Sequence, residues 1–410
     1  MPKDVVFTTL IQYTAVTMSP ISRVIRTSHR HVLLFVFFGA FCSFFFGVCA
    51  AFAAEDVGQE RIRVAVVRSE RLMAVLPEDA LLRDHDGRQI TWSGPMLTLA
   101  VDGDQVVIAG ERFRRLALYS PAVVRMNGKG YRGAFDISVQ QGKVLVVNEL
   151  PLEDYLVGVI TSEISSSWPP EAIKAQAVIA RTYALTKKRE RSMGPYHLEA
   201  TVMDQVYNGV DRDDDKARQG VRDTHAQVLL HNGKTIQAFY HANSGGRTES
   251  ARNVFGADIP YLQGVECMYG LMSPGSRWEW QVTRDRLASQ LRAQGLLFTE
   301  LFDIVPGTFN DRGRRSTVSL ETDRGSIVLP ATKFRMLAGS TLIKSTNFNV
   351  ARDGERFTFV GAGYGHGVGL CQYGMKQRAL DGFSYTEILS YYYPGTVLAH
   401  YGQGDAVQVP

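Results

Sequence analysis

The chain has 410 residues, with 45 Lys and Arg against 41 Asp and Glu, and 45% of its residues are hydrophobic. This composition is typical of a globular protein with a substantial core, and four cysteines are too few for a disulfide framework. The first 54 residues hold four basic and one acidic side chain, which leaves 41 basic and 40 acidic residues for the rest. A nearly neutral body argues against a nucleic-acid partner, which would need clustered Lys and Arg.

Residues 1–54 are predicted to be a signal peptide or membrane anchor. Four basic residues precede an uncharged, Phe-rich stretch from Val32 to Ala54, and the export machinery reads this order of charge and apolarity. Small residues at Ala51 and Ala53 suit cleavage, but the apolar stretch is also long enough to span a bilayer uncleaved. We therefore expect an extracytoplasmic protein, on the periplasmic or cell-wall side, that touches the membrane only through this segment.

The next region, residues 55–130, is predicted to be rich in β-strands. Short apolar segments such as Ile62–Val67 and Val106–Ala109 alternate with turns rich in Gly, Asp and Asn. Residues 131–400 follow as a mixed α/β catalytic domain, so the fold class is predicted to be α+β.

A buried, Ala-rich helix is predicted from Glu171 to Leu185. Two prolines precede it, and proline suits the first turn of a helix. The segment is apolar nearly all round, which is typical of a helix enclosed by protein. Lys174, Gln176 and Arg181 are the exceptions, and Lys174 and Arg181 are seven residues apart, so they share one face.

The remaining elements are read from shorter patterns. Residues 189–220 are charged and are interpreted as a surface excursion. Further strands, a helix, a hairpin and a last strand are predicted at Gln227–Leu230, Thr235–His241, Arg284–Gln294, Ser316–Leu329 and Arg356–Val360.

Glu163 is the first candidate for chemistry. It follows an apolar stretch, and a carboxyl group in apolar surroundings has a raised pKa and can act as a general acid. The alternative is a structural role: Glu163 would be a carboxylate near the N-terminus of the following helix, or it would form an ion pair with Lys174 or Arg181.

Two Gly-containing stretches are further candidates. His241–Thr248 contains Ser244 and lies at the end of a predicted strand, as a ligand-binding loop or a tight turn would. Gly363–Gly374 contains His366 and Gln372, and its alternating glycines let a backbone approach a ligand closely. It does not follow the first strand of a βαβ unit, so it is not a dinucleotide fingerprint.

Together these stretches resemble the stage II sporulation protein D family, also called the SpoIID/LytB or amidase-enhancer family. The resemblance covers about residues 132–398. Its motifs are Asn148–Val159, Glu163, the helix Glu171–Leu185, Ser244–Thr248, Pro260–Leu262, Gly365–Gly374 and Tyr392–Gly395.

The resemblance implies a lytic transglycosylase that cleaves peptidoglycan glycan strands, especially strands without stem peptides, with Glu163 as the catalytic residue. Some relatives hold zinc through His and Cys, but this chain has no cysteine between residues 50 and 266, so neither a metal nor another cofactor is expected. The residues proposed to hold Glu163 or the sugar are Lys174, Gln176, Arg181, Ser244, His366 and Gln372.

One carboxylate is enough for this reaction, because the C6 hydroxyl of the muramyl residue closes onto its own anomeric carbon and leaves a 1,6-anhydro end. The rival hypothesis is a non-catalytic, wall-binding enhancer of a separate cell-wall amidase. A zinc peptidase is disfavoured because no HExxH spacing is present. Cys267 and Cys371 are the thiols left after export, so a disulfide between them is one hypothesis and free thiols the other.

Overall fold

The computed structural model describes residues 59–402, so the predicted export segment lies outside the described residues. The predicted α+β class is confirmed: strands dominate up to Pro151, and helices alternate with short strands after it. Within residues 59–402, no helix is both long and apolar enough to cross a membrane.

The strands are β1 Arg61–Ser69, β2 Arg71–Val75, β3 Leu81–Asp84, β4 Gln89–Ile90, β5 Met96–Asp102, β6 Gln105–Ile108, β7 Glu111–Phe113, β8 Arg115–Met126, β9 Lys129–Gln140, β10 Lys143–Pro151, β11 Leu198–Glu199, β12 Gln227–His231, β13 Lys234–Thr235, β14 Tyr240–His241, β15 Gly246–Arg247, β16 Glu266–Cys267, β17 Arg277–Thr283, β18 Leu301–Pro306, β19 Thr317–Thr322, β20 Gly325–Pro330, β21 Phe348–Asp353, β22 Arg356–Ala362, β23 Leu370–Cys371 and β24 Val397–His400. The helices are α1 Leu152–Glu163, α2 Pro170–Glu190, α3 Asp215–Asp223, α4 Ala251–Phe255, α5 Tyr269–Met272, α6 Arg284–Ala293, α7 Ala331–Leu337, α8 Gln372–Leu380 and α9 Tyr385–Tyr392.

A large sheet forms the N-terminal half. Its strands run in the order β11-β1-β10-β9-β8-β2-β5-β6-β7, with β3 and β4 attached at β8. Buried and exposed residues alternate along β2 and much of β8, as expected where one face of a sheet meets a core. Residue 130 lies within the β8–β9 hairpin. The domain boundary between residues 130 and 131 remains a prediction.

Helices α1 and α2 share one hydrophobic core with this sheet. Ile62 and Val64 of β1, Tyr155 of α1 and Val178 of α2 all belong to it. In α2 the residues from Ala172 to Thr186 are buried with few exceptions, which confirms the predicted buried helix. The helix begins at a proline, as is common for a first helical position, and has three basic residues in its last turn. Positive charges there interact favourably with the helix dipole.

Residues 277–362 build a second hydrophobic core, here called the module. It contains β17–β22, α6 and α7, and aromatic residues such as Phe334, Phe348 and Phe359 pack at its centre. The module begins and ends side by side, because Arg277 pairs with Ala362 and Gly363 N–H donates to Ser276 O at 2.7 Å. The predicted helix and hairpin in this region are confirmed as α6 and β19–β20.

Five helices of the described residues were not predicted: α1, α3, α4, α5 and α7, of which α4, α5 and α7 are short. The apolar stretch before Glu163 is α1, whose short sequence did not show a helical period. The charged segment 189–220 contains the start of α3, where the Asp214 carboxylate accepts hydrogen bonds from Lys216 and Ala217 N–H. The strand predicted at Thr235–His241 is two short pieces, β13 and β14, because the chain leaves the sheet between them.

Candidate active site

Glu163 is the last residue of α1. Its side chain is half-buried, and desolvation raises the pKa of the carboxyl group above its usual value, although three hydrogen bonds oppose the shift. The C-terminal end of a helix also disfavours a negative charge. Glu163 is therefore placed where its protonated form is favoured and one side still faces solvent.

The two carboxylate oxygens of Glu163 have unequal partners. Oε1 accepts a hydrogen bond from Val206 N–H at 2.8 Å and another from the Tyr240 hydroxyl at 3.2 Å. Oε2 has one long contact, with Gln372 Nε2 at 3.5 Å. Oε1 is thus held by two donors, whereas Oε2 is held weakly.

The loop that supplies Val206 N–H is fixed by a buried carboxylate. Asp204 binds Arg191 at 2.6 Å and accepts from the Tyr183 hydroxyl at 2.9 Å. Three residues after Asp204, Tyr207 packs against α1 at Gly158, where a Cβ would lie 2.5 Å from the tyrosine ring. A side chain at Gly158 would push the loop away from Glu163.

The second donor to Oε1 belongs to a buried chain of hydrogen bonds. Gln205 Nε2 donates to the Tyr240 hydroxyl at 3.3 Å, and the Tyr155 hydroxyl donates to Gln205 Oε1 at 3.2 Å. Burial raises the pKa of Tyr240 well above its usual value, so its hydroxyl stays protonated and can donate to Glu163.

Neighbouring residues of β14 point to opposite sides, as alternate residues of a strand do. Tyr240 faces Glu163, whereas His241 faces His366, with ring centroids 5.5 Å apart. His366 Nδ1 accepts from Val368 N–H at 3.0 Å, and burial lowers the pKa of His366 to about 4. His366 is therefore a neutral side chain packed behind β14, and the structure does not bring it to Glu163.

One predicted residue, Gln372, contacts the carboxylate, and a second, Gln176, contacts Gln372. Gln372 begins α8 and contacts Glu163, and its Nε2 also donates to Gln176 Oε1 at 3.4 Å. Gln176 is fully buried in α2, and its own Nε2 lacks a hydrogen-bond partner among the described residues. The amide pair Gln176–Gln372 thus links Glu163 to the interior of the protein.

The two predicted cations have other partners. Lys174 lies 2.9 Å from Glu171 and 3.6 Å from Asp223. The Arg181 guanidinium forms two hydrogen bonds with Glu153, at 2.8 and 2.6 Å, and two more with backbone carbonyls. The interpretation of Glu163 as the ion-pair partner of either cation is therefore wrong, because these closer carboxylates take both. A role for Lys174 or Arg181 in holding the sugar stays a prediction.

Ser244 is buried beside the two cysteines. Its N–H donates to Cys371 Sγ at 3.2 Å, and its hydroxyl lies 3.5 Å from Cys267 O. Both cysteines are buried free thiols, so the disulfide hypothesis does not hold in this structure. Ser244 thus holds the turn in place, and contact with a substrate remains a prediction for it.

Two shallow depressions, each close to 450–470 Å³, lie away from the Glu163 carboxylate. Val75, Arg125 and Asp211 are among the residues lining one, and Arg191 and Asp204 among those lining the other. Volume therefore does not identify the site; the hydrogen bonds and burial of Glu163 do. Over residues 59–402, no cluster of three or more His, Cys, Asp or Glu side chains is arranged to hold a metal ion.

Sequence reasoning missed the two donors to Oε1. A backbone N–H such as that of Val206 cannot be recognised from the residue type, because every residue except proline has one. Tyr240 lies within a predicted strand, where a tyrosine is more often part of the core than of a site.

Comparison with known proteins agrees with the motifs. A family model described as stage II sporulation protein matches residues 140–231, and one described as a domain of unknown function matches residues 273–369, which include the module. An uncharacterised protein of Brachyspira hyodysenteriae is 34% identical over 281 residues, covering 68% of this chain and 74% of that protein.

Two Bacillus proteins are also similar. Stage II sporulation protein D of Bacillus amyloliquefaciens is 30% identical, covering 61% of this chain and 74% of its own length. The amidase enhancer of Bacillus subtilis is 32% identical over 60% of this chain but only 40% of its own length. The resemblance predicted from the sequence is confirmed, and the chain belongs to the stage II sporulation protein D family.

Proposed function

We propose that this protein is an exported lytic transglycosylase that cleaves peptidoglycan glycan strands, with Glu163 as its single acid/base. Membership of the family supports a role at the cell wall. The observation that carries the catalytic proposal is the unequal environment of the two Glu163 oxygens.

The proton of the acid form belongs on Oε2. Oε1 already accepts from Val206 N–H and from the Tyr240 hydroxyl, and a proton there would face two donors. Oε2 has only the 3.5 Å contact with Gln372, so it is free to carry a proton and to exchange it with a substrate. Burial raises the pKa of Glu163, which favours the acid form that the first step needs.

In the first step, Oε2–H gives its proton to the glycosidic oxygen as the bond to the muramyl anomeric carbon breaks. In the second step, the Glu163 carboxylate takes the proton of the C6 hydroxyl as that oxygen bonds to the anomeric carbon. The proton count closes, and no enzyme nucleophile or water is consumed. Acid/base assistance of this kind contributes roughly 10²–10⁴-fold.

The amide pair Gln176–Gln372 suits both protonation states. With Glu163 ionised, Gln372 Nε2 faces Oε2. With Glu163 protonated, rotation of both amides would present Gln372 Oε1 to the proton and would give the unpartnered Nε2 of Gln176 an acceptor. The two orientations differ only in which amide atom faces which neighbour.

A non-catalytic role is the second candidate, and similarity to a protein called amidase enhancer is the observation that favours it. In that case the protein would bind wall glycan and activate a separate amidase. The geometry around Glu163 would then be structural, and loss of its proton would leave enhancement intact.

The deciding experiment uses purified protein lacking residues 1–54, with peptide-free glycan strands and no added amidase. We expect the wild type to release fragments with 1,6-anhydromuramyl ends by mass spectrometry, and Glu163→Gln to lower the rate by roughly 10²-fold or more. Glu70→Gln is the control, because Glu70 is an exposed carboxylate elsewhere in the chain.

Three results would count against the proposal. Fragments with reducing ends only would mean that water attacks, and no fragments at all from the folded wild type would favour the enhancer. Enhancement of an added amidase that survives Glu163→Gln would favour the enhancer as well.

A further inference from the structure

We infer that Trp168, Tyr373 and Lys376 form a binding subsite for a muramyl residue whose lactyl carboxylate is free. This inference rests on the proposed function and extends it, because it names the side chains that would distinguish peptide-free glycan from glycan that carries stem peptides. The three residues, here called the aromatic subsite, lie on the segment after α1 and on α8.

The aromatic subsite is next to the Glu163 carboxylate, because neighbouring residues of the chain contact each of them. Gln372 contacts Glu163, and the next residue, Tyr373, contacts Trp168 with ring centroids 5.6 Å apart. Trp168 itself lies five residues beyond Glu163, after a turn closed by its N–H donating to Ser165 O at 3.1 Å. Both rings are half-exposed, so they form a surface on which the face of a sugar can pack.

Lys376 adds an unneutralised charge to this surface. Its ammonium lies 5.5 Å from the centre of the Trp168 ring, and it forms no ion pair within the part of the chain that the structure describes. Lys174 and Arg181, by contrast, are already bound to carboxylates. A cation without a carboxylate partner beside an aromatic surface fits a ligand that brings both a ring and an anion.

A muramyl residue is a ligand of that kind. Its pyranose ring offers C–H groups for packing on an aromatic ring, and its lactyl group ends in a carboxylate. When a stem peptide is attached, that carboxylate becomes an amide and loses its charge at this position. Lys376 would therefore favour the peptide-free form, and the preference should weaken as salt rises.

The test measures the binding of peptide-free glycan fragments to full-length mature protein carrying Glu163→Gln, which prevents cleavage. In this background, Trp168→Ala and Lys376→Gln should each weaken binding by about tenfold, a loss of the size found for central interface residues. Trp168→Phe keeps an aromatic surface and should recover most of the affinity. Phe302→Ala and Lys234→Gln, an exposed aromatic and an exposed lysine elsewhere, are the matched controls.

Glycan whose lactyl carboxylates have been converted to amides separates charge from shape. It should bind the parent about as weakly as free-acid glycan binds Lys376→Gln, and Lys376→Gln should weaken it no further. The fluorescence of Trp168 gives a second readout, since a binding-induced change should vanish in Trp168→Phe. Because Trp168 also packs on the core, the melting temperature of each variant is measured beside its affinity.

The outcomes are distinct. Binding by the parent that neither Trp168→Ala nor Lys376→Gln changes overturns the aromatic subsite and leaves the proposed function standing. Equal losses in the control variants overturn it too. No binding of glycan by any folded variant overturns both. Tight binding with the expected losses, but no cleavage by the wild type, supports the aromatic subsite and contradicts the proposed enzymatic activity.

Discussion

The two hydrophobic cores of the described chain differ in what they enclose. The larger core surrounds buried polar side chains such as Gln176, Arg181 and Gln205, all of which are tied into hydrogen bonds near α1 and α2. The core of the module is made of aliphatic and aromatic residues, and its buried polar groups, such as Arg314, lie at its margin.

The buried polar groups are thus concentrated in the larger core, around α1 and α2. A buried polar group costs free energy unless it is hydrogen-bonded, so a core that keeps several of them is specified by more than apolar packing. Glu163 lies at the edge of that core, half-buried. The module contributes from outside: Arg314 donates to Ser244 O at 2.8 Å, and Asn310 donates to Glu249 at 2.7 Å.

Excision of the module has the largest expected effect. Residues 277–362 can be replaced by a short Gly linker because Ser276 and Gly363 are already hydrogen-bonded. We expect the remaining protein to fold on its own core but to lose about 3–6 kcal/mol of unfolding free energy, since two hydrogen bonds to charged groups are lost. Denaturant unfolding followed by circular dichroism measures this. Failure of the remainder to fold cooperatively would show that the two cores are interdependent.

The two fully buried arginines give a sharper comparison. Each is 1% exposed, but Arg181 binds Glu153, whereas Arg314 Nε and Nη1 lack hydrogen-bond partners among the described residues. We expect Arg181→Met to lower the unfolding free energy by about 3 kcal/mol, because it leaves Glu153 without its partner. Arg314→Met should lower it by only about 1.5 kcal/mol, because the hydrogen bond to Ser244 is lost but two buried nitrogens without partners are removed as well. Equal losses in denaturant titrations would contradict this.

The pH dependence of stability isolates Glu163. Since its pKa is raised in the folded state, the folded protein holds a proton that the unfolded chain releases above about pH 4.3. Stability is therefore lost as pH rises from that value through the folded pKa, and Glu163→Gln should remove this loss. Melting temperatures should show the variant at or above the wild type at pH 7, with the gap closing below about pH 4. A variant less stable at pH 7 would mean that the ionised form stabilises the fold.

A smaller effect is expected for the thiols. In protein lacking residues 1–54, two free cysteines should be titrated after unfolding in the absence of reductant, and both should react slowly in the native protein because Cys267 and Cys371 are buried. Removal of reductant should not shift the melting temperature. A single equivalent of disulfide per chain would restore the earlier hypothesis.

No effect is expected from a chelator. We predict that EDTA leaves both the melting temperature and any glycan cleavage unchanged, because the sequence has no cysteine between residues 50 and 266 and residues 59–402 contain no cluster of three or more His, Cys, Asp or Glu side chains that could hold a metal ion. Stoichiometric zinc in protein purified under mild conditions would contradict this prediction.

Sequence reasoning reached the parts of the fold that depend on local pattern. The buried helix α2 and the β19–β20 hairpin were predicted because apolar periodicity and turn residues mark them. The Val206 N–H could not be predicted as a donor, because it acts through the backbone and not through its side chain. The partners of Arg181 could not be predicted either, because they lie 28 to 46 residues away in sequence. Motif recognition singled out Gln372, but only the fold placed it against Glu163.

The approach of Arg314 to Gly367 has a consequence for epistasis. Gly367 has φ +88°, and a Cβ there would lie 2.5–2.8 Å from the Arg314 guanidinium. Gly367→Ala in the wild type meets both backbone strain and this clash, whereas in an Arg314→Ala background only the strain remains. The two substitutions should therefore cost less together than the sum of their separate costs. In evolution, replacement of Arg314 by a shorter residue should therefore make a later substitution of Gly367 less destabilising. The reverse order would first require the destabilised Gly367 variant.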